Sequence, residues 1–187
     1  MYKCLSILLL IVPVIFGGNL LFFMPVIPKS SKIAWYPLAK EMAERGHQVT
    51  IVSPYQSQKE VQNLEEIIID GAQLIKYQDE VSKAILGRNL SHWQISRQLA
   101  SFIKPALDLN NQTFDTLKAM NFFKERSYDA VVLISVGGNE PGLFVAHHFK
   151  ATIVTFFVQQ MSLLSQDWSV GQPHHPAYVP QISTLYK

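Results

Sequence analysis

Residues 19–54 constrain the fold more than any other stretch of the chain. Asn19–Met24 is a continuous apolar run, the signature of a strand covered on both faces. Pro25 and Pro28 end it, because proline donates no ladder hydrogen bond. Over Leu38–Arg45, Leu38, Ala39, Met42 and Ala43 share one helical face, and Lys40, Glu41, Glu44 and Arg45 share the other. Lys40 with Glu44, and Glu41 with Arg45, are opposite charges at four-residue spacing. Pro37 suits the first turn of this helix, or else kinks a helix begun at Ser30 or Ser31. Gly46 fits the left-handed position that closes a helix. Gln48–Ser53 reads as a second strand, stopped by Pro54. Strand, helix and strand in so short a span make a βαβ unit, which requires a parallel sheet.

The rest of the 187 residues supports an α/β reading. Glu65–Ile69 reads as a short strand closed by Asp70-Gly71, a hairpin-type or tight-turn dipeptide. From Trp93 to Arg126 the apolar spacing is helical, with Pro105 as an interruption. Ala130–Ile134 reads as a buried parallel strand, Pro141–Phe149 as a helix and Thr152–Phe157 as a further strand. With 48% hydrophobic and 16% charged residues, the chain has the makings of one globular core. A net charge of +2 and the lack of a basic stripe argue against nucleic acid as a partner.

The leader has its own logic. Lys3 precedes an apolar run from Leu5 to Phe16, followed by Gly17-Gly18, the pattern of a secretory signal over residues 1–18. Phe16 is a poor residue before a cleavage point, so an uncleaved signal anchor, and with it membrane association, stays open. Cys4, the one cysteine, lies in this leader and allows no intrachain disulfide. Asn89-Leu90-Ser91 and Asn111-Gln112-Thr113 are glycosylation sequons. Together with the leader they point to the lumen of the endoplasmic reticulum and the secretory pathway.

Phe23-Met24-Pro25, Lys29-Ser30-Ser31, Pro37-Leu38, Ala43 to Thr50 and Ser53-Pro54 resemble the amino-terminal half of insect UDP-glycosyltransferases. Tyr128 to Val132 with Ala146 to Ala151, and Gly171-Gln172-Pro173 with Pro176 to Pro180, extend the resemblance. It implies a GT-B fold of two Rossmann-like modules, of which residues 19–187 are the acceptor-binding one. The module that binds the UDP-sugar donor is expected to be absent from this chain. The implied reaction transfers a hexose from UDP-sugar to a lipophilic small molecule, as in detoxification.

In that family a histidine at the head of the first helix takes the acceptor's proton, and an acid orients it. Counting back from Arg45-Gly46-His47, the histidine's position holds Ser31, and serine is no base near neutral pH. The acid's position holds Ile134 or Ser135. Glu140 would substitute only if its loop folded back. No catalytic residue is therefore identified, and the chain alone is expected not to turn over. Candidate acceptor contacts are Ser30, Ser31, Trp35, Trp93, Phe102 and Phe114, although a helical aromatic is more often core. No cofactor is implied beyond the donor substrate. His147-His148 and His174-His175 are adjacent pairs that do not converge on a metal. The alternative function is a lumenal pseudoenzyme that binds lipophilic ligands or pairs with full-length relatives. An unrelated nucleotide-binding domain would want a phosphate loop, and Gly137-Gly138 is not one.

Overall fold

The computed structural model describes residues 17–57, 59–85, 91–101, 103–134 and 140–156. Its centre is a five-stranded sheet, every pairing of which is parallel. In chain order the elements are β1 (Asn19–Phe23), α1 (Lys29–Glu44), β2 (Gln48–Ser53), β3 (Leu64–Ile68), α2 (Ala72–Ile85) and α3 (His92–Ser101). There follow α4 (Ile103–Ala119), α5 (Phe122–Glu125), β4 (Ala130–Ile134), α6 (Gly142–Phe149) and β5 (Thr152–Phe156). The strands lie in the order β3-β2-β1-β4-β5.

Strand alternation divides the core in two. Leu21, Phe23, Val131 and Leu133 face one side, where Leu109 and Leu117 of α4, Phe122 of α5 and Val145 of α6 cover them. Phe22, Ile51, Val132 and Ile134 face the other, covered by Trp35, Ala39 and Ala43 of α1. The chain leaves β1 for β2 across the α1 face, and leaves β4 for β5 across the opposite face. The sheet is thus doubly wound, with its switch point between β1 and β4.

The α/β reading, with its parallel Rossmann-like sheet, holds. The strand spans at Gln48–Ser53 and Ala130–Ile134 are those read from sequence. Helix α1 takes the longer of the two courses, beginning at Lys29 with Pro37 inside it. Pro37 cannot donate to the Ile33 carbonyl, but both residues lie on the exposed side, where water can take the free acceptor. Leu38 falls off the buried stripe, which runs through Ser31, Lys32, Trp35, Ala39 and Ala43. Gly46 does close the helix, at φ +94°, and the expected Lys40–Glu44 and Glu41–Arg45 pairs form at 3.4 and 2.8 Å.

Three expectations shift. β3 begins one residue earlier than read, and Asp70-Gly71 leads into α2 rather than into a hairpin. The Asp70 carboxylate accepts the Ala72 N–H there at 3.1 Å. Helix α2 went unread altogether. Pro105 does not interrupt a helix: it is the third residue of α4, where proline is tolerated.

The amino end of β1 is pinned on both sides. The Gly18 N–H donates to Nδ1 of His47 at 2.9 Å, and the Asn19 N–H donates to the Asp129 carboxylate at 2.7 Å. His47 is therefore a structural acceptor.

Candidate functional site

Open α/β sheets bind ligands beyond the carboxyl ends of their strands, at the switch point. Here that place is the loop after β1, the head of α1 and the end of β4. The loop is rigidly built. Met24, Val26 and Ile27 are fully buried, and the Met24 N–H extends the ladder to the Val52 carbonyl at 2.9 Å. Pro28 caps α1 in an extended conformation and offers no side-chain acceptor, but its carbonyl receives the Ser31 N–H at 3.0 Å. The first turn of α1 carries no acidic residue to offset its positive dipole end.

Ser31 sits at this head with 6% of its surface exposed, beside the exposed Ser30. Ile134 ends β4, one register step beyond the Phe23–Leu133 pair, and is 2% exposed within the α1-side core. Ser31 thus heads the helix that follows β1, Ile134 ends the adjacent strand β4, and neither position holds an ionisable group. Ser135 lies outside the described residues, as do Phe102 and Asn89. Glu140 is exposed at the turn before α6.

The aromatic candidates do not gather at one place. Trp35 is wholly buried and stacks on Phe22, with centroids 5.3 Å apart and planes 18° from parallel. Its indole N–H has no hydrogen-bond partner among the described residues. Phe114 packs on the opposite face of the sheet, against Phe23 and Phe123. Trp93 projects from α3 with 76% of its surface exposed. Asn111 is exposed on α4, while Thr113 of the same sequon is buried and its hydroxyl donates to the Leu109 carbonyl at 2.7 Å.

One feature beside the site escaped the sequence reading. Lys32, on the buried stripe of α1, places its ammonium 2.7 Å from the Glu66 carboxylate of β3. It also donates to the Tyr55 carbonyl and lies 5.6 Å from the centre of the Tyr36 ring. Glu66 in turn accepts the Ser57 N–H at 2.8 Å and the Ser57 hydroxyl at 2.7 Å. Burial works to raise the Glu66 pKa, but the bonds from Lys32 and Ser57, with the Lys32 charge, hold it below the usual carboxylate value. This buried pair fastens the loop after β2 to the flank of α1. Reading the helix from Leu38 hid it; a helix begun at Lys29 puts Lys32 on the same stripe as Trp35, Ala39 and Ala43.

At the far, amino-terminal edge, Arg126 grips Glu65 through both guanidinium nitrogens, at 2.5 and 2.8 Å. Those hydrogen bonds lower the Glu65 pKa, burial opposes them, and the Arg126 charge adds to the lowering. Among the described residues no group of three His, Cys, Asp or Glu side chains could hold a metal ion. Nor is any described helix long and apolar enough to cross a membrane.

No family model matches the chain, and no curated protein does either. Among solved structures it is similar to CalG4, the calicheamicin glycosyltransferase, with a TM-score of 0.51 and 18% identity. That match covers 88% of this chain and 39% of CalG4, so the chain spans well under half of that protein's length. A second match, to the C-terminal domain of a hydrogenase from Pyrococcus furiosus, covers 78% of this chain and 97% of that one. At a TM-score of 0.35 and 15% identity it carries no argument. The class defined here is a fold class: a Rossmann-like α/β sheet of the kind found in a GT-B glycosyltransferase.

Proposed function

We propose that the chain is the acceptor-binding, amino-terminal module of a UDP-glycosyltransferase of the insect type. In this reading it binds a lipophilic small molecule and does not itself catalyse transfer. The observation that carries the proposal is the switch point between β1 and β4, with Ser31 at the head of the following helix. The likeness to a glycosyltransferase sheet supports the sugar-transfer part, and the resemblance of the motifs around Ser31 supports the family.

Transfer of a hexose to a hydroxyl needs a group to take the hydroxyl's proton as its oxygen attacks the anomeric carbon. Ser31 is neutral and has no base beside it among the described residues to activate it. Neither Ile134 nor Ser135, the two candidate places for the acid, carries an ionisable side chain. These side chains leave the module able to enclose an acceptor and unable to deprotonate it. That favours a lumenal binding protein, or a partner of a full-length relative that brings its own donor module. A secretory leader over residues 1–18 and glycans at Asn89 and Asn111 fit the same location.

The purified chain is tested with 1-naphthol as acceptor and UDP-glucose as donor. Saturable quenching of tryptophan fluorescence by 1-naphthol, with no glucoside detected by mass spectrometry, is the expected result. A detectable glucoside would overturn the assignment of inactivity. Absence of saturable binding would overturn the acceptor-module reading.

A further inference from the structure

The flank of α1 turned away from Trp35 opens onto a cavity of about 530 Å³, roofed by the loop after β2. Ile33, Tyr36, Pro37 and Lys40 line it from α1, at the spacing that puts them on one helical face. Tyr55 and Val61 form the facing wall. Lys32 and Ser57 also line it, and both are bonded to Glu66 of β3 behind them. Partly buried, hydrogen-bonded groups thus fix one side of the cavity.

Its rim is cationic. Lys29, Lys40 and Lys59 all border the space. Lys32 is neutralised by Glu66, and Lys40 reaches Glu44 at 3.4 Å in an exposed pair of small worth. Lys29 and Lys59 have no carboxylate within ion-pair distance among the described residues. Two lysines without an ion pair among the described residues therefore border a space walled by two tyrosines and three aliphatic side chains, with the Asp79 charge acting on the Tyr55 hydroxyl of that wall. A bare inorganic ion would leave the walls unused, and a neutral hydrocarbon would gain nothing from the rim.

We infer that this cavity binds a small organic anion: a flat apolar body between Tyr36 and Tyr55, with a carboxylate, sulfate or phosphate at Lys29 and Lys59. The volume suits a ligand of two or three fused or linked rings. This site is separate from the switch-point site, since its α1 residues lie on a different face of the helix from Ser31 and Trp35.

The test compares two dyes with the same aromatic body, 8-anilino-1-naphthalenesulfonate and the uncharged N-phenyl-1-naphthylamine. With 1-naphthol present to fill the switch-point site, the intact chain should bind the sulfonate saturably at one site, and the neutral dye roughly tenfold more weakly. Lys29→Gln combined with Lys59→Gln should weaken the sulfonate about five- to tenfold and leave the neutral dye unchanged, the loss shrinking as salt rises. Lys118→Gln, a charge change on α4, should alter neither. Both rim lysines are exposed, and an unchanged thermal transition verifies that the variants are folded. Equal binding of the two dyes would overturn the inference. So would wild-type affinity in the rim variant, or an equal loss in Lys118→Gln.

Discussion

Replacing Lys32 by Met removes one partner of the only ion pair among the described residues in which both side chains are largely enclosed, 8% and 13% exposed. At 2.7 Å and an effective dielectric near 20, the gross attraction is about 6 kcal/mol, most of it offset by desolvation. What the variant loses is larger than the net worth of the pair, because Glu66 keeps its charge and its burial without a cation. Truncations of this kind cost about 3–5 kcal/mol. The two Ser57 bonds remaining on Glu66 place this one near the lower figure. Near 3 kcal/mol, the midpoint of thermal unfolding should fall by about 6–12 °C in a chain of this size.

Glu66→Gln should cost about 1–2 kcal/mol, and the double variant less than the sum of the singles by at least about 1.5 kcal/mol. The pH dependence has a definite sign. The wild-type Glu66 pKa is depressed from the ordinary 4.5, so its contribution is present above that value and is lost as pH falls through the folded value. In Lys32→Met, burial alone acts on Glu66 against the Ser57 bonds, and protonation relieves an unpaired charge. The stability gap between wild type and variant should therefore be widest at pH 7 and narrow toward pH 4. Urea unfolding at both pH values measures it. A coupling below about 0.5 kcal/mol, or a gap independent of pH, would refute the claim that a buried ion pair fastens this loop.

Three shorter predictions follow from other places in the fold. A Cβ added at Gly142 would stand 2.4 Å from Leu133 Cδ2 and 3.0 Å from Phe23 Cδ1. Gly142→Ala should thus destabilise by about 1–2 kcal/mol despite alanine's better helix propensity, and a stabilised variant in urea titration would show that α6 can withdraw from the sheet. Arg126→Gln should raise the Glu65 pKa toward or above its ordinary value, visible in the carboxyl-carbon NMR titration. Because the pair is partly exposed, it should cost no more than about 1 kcal/mol at pH 7, and an unmoved Glu65 titration would contradict the bidentate contact. If the chain enters the secretory pathway, Asn111→Gln should remove one glycosidase-sensitive step in gel mobility from protein made in insect cells, and identical mobility would mean that this exposed asparagine goes unmodified.

The sheet was legible because its signals are local and strong. The apolar runs of β1, β2 and β4 are each bounded by proline, glycine or a charged turn, and each falls within a residue of where periodicity puts it. Helix α1 was half legible. Its charged second half declares itself through Lys40, Glu41, Glu44 and Arg45, but Pro37 masks the first half. With the first half went Lys32, whose partner Glu66 lies on a strand 34 positions away and carries no local mark. The exposed Trp93 and the core-bound Trp35 look alike in sequence, since an aromatic at helical spacing fits a core or a pocket equally well. Tertiary packing on the two faces of the sheet, absent from any local window, separated Trp35 from Phe114.

The contrast between framework and chemistry at the switch point bears on the proposed function. The loop after β1 keeps its buried Met24, Val26 and Ile27 and its bond to Val52, and Gly142 lets α6 close against Leu133 and Phe23. A histidine at position 31 would sit at a place 6% exposed, and an acid at position 134, the described one of its two candidate places, at 2%. There a histidinium and a carboxylate would each depend on the other to offset desolvation, and either group alone would shift its pKa and stay neutral. Serine at 31 together with isoleucine at 134 is the pairing that leaves the framework stable with no charge to neutralise. In the proposed reading, the apolar packing that shapes the switch point does not depend on an ionisable pair.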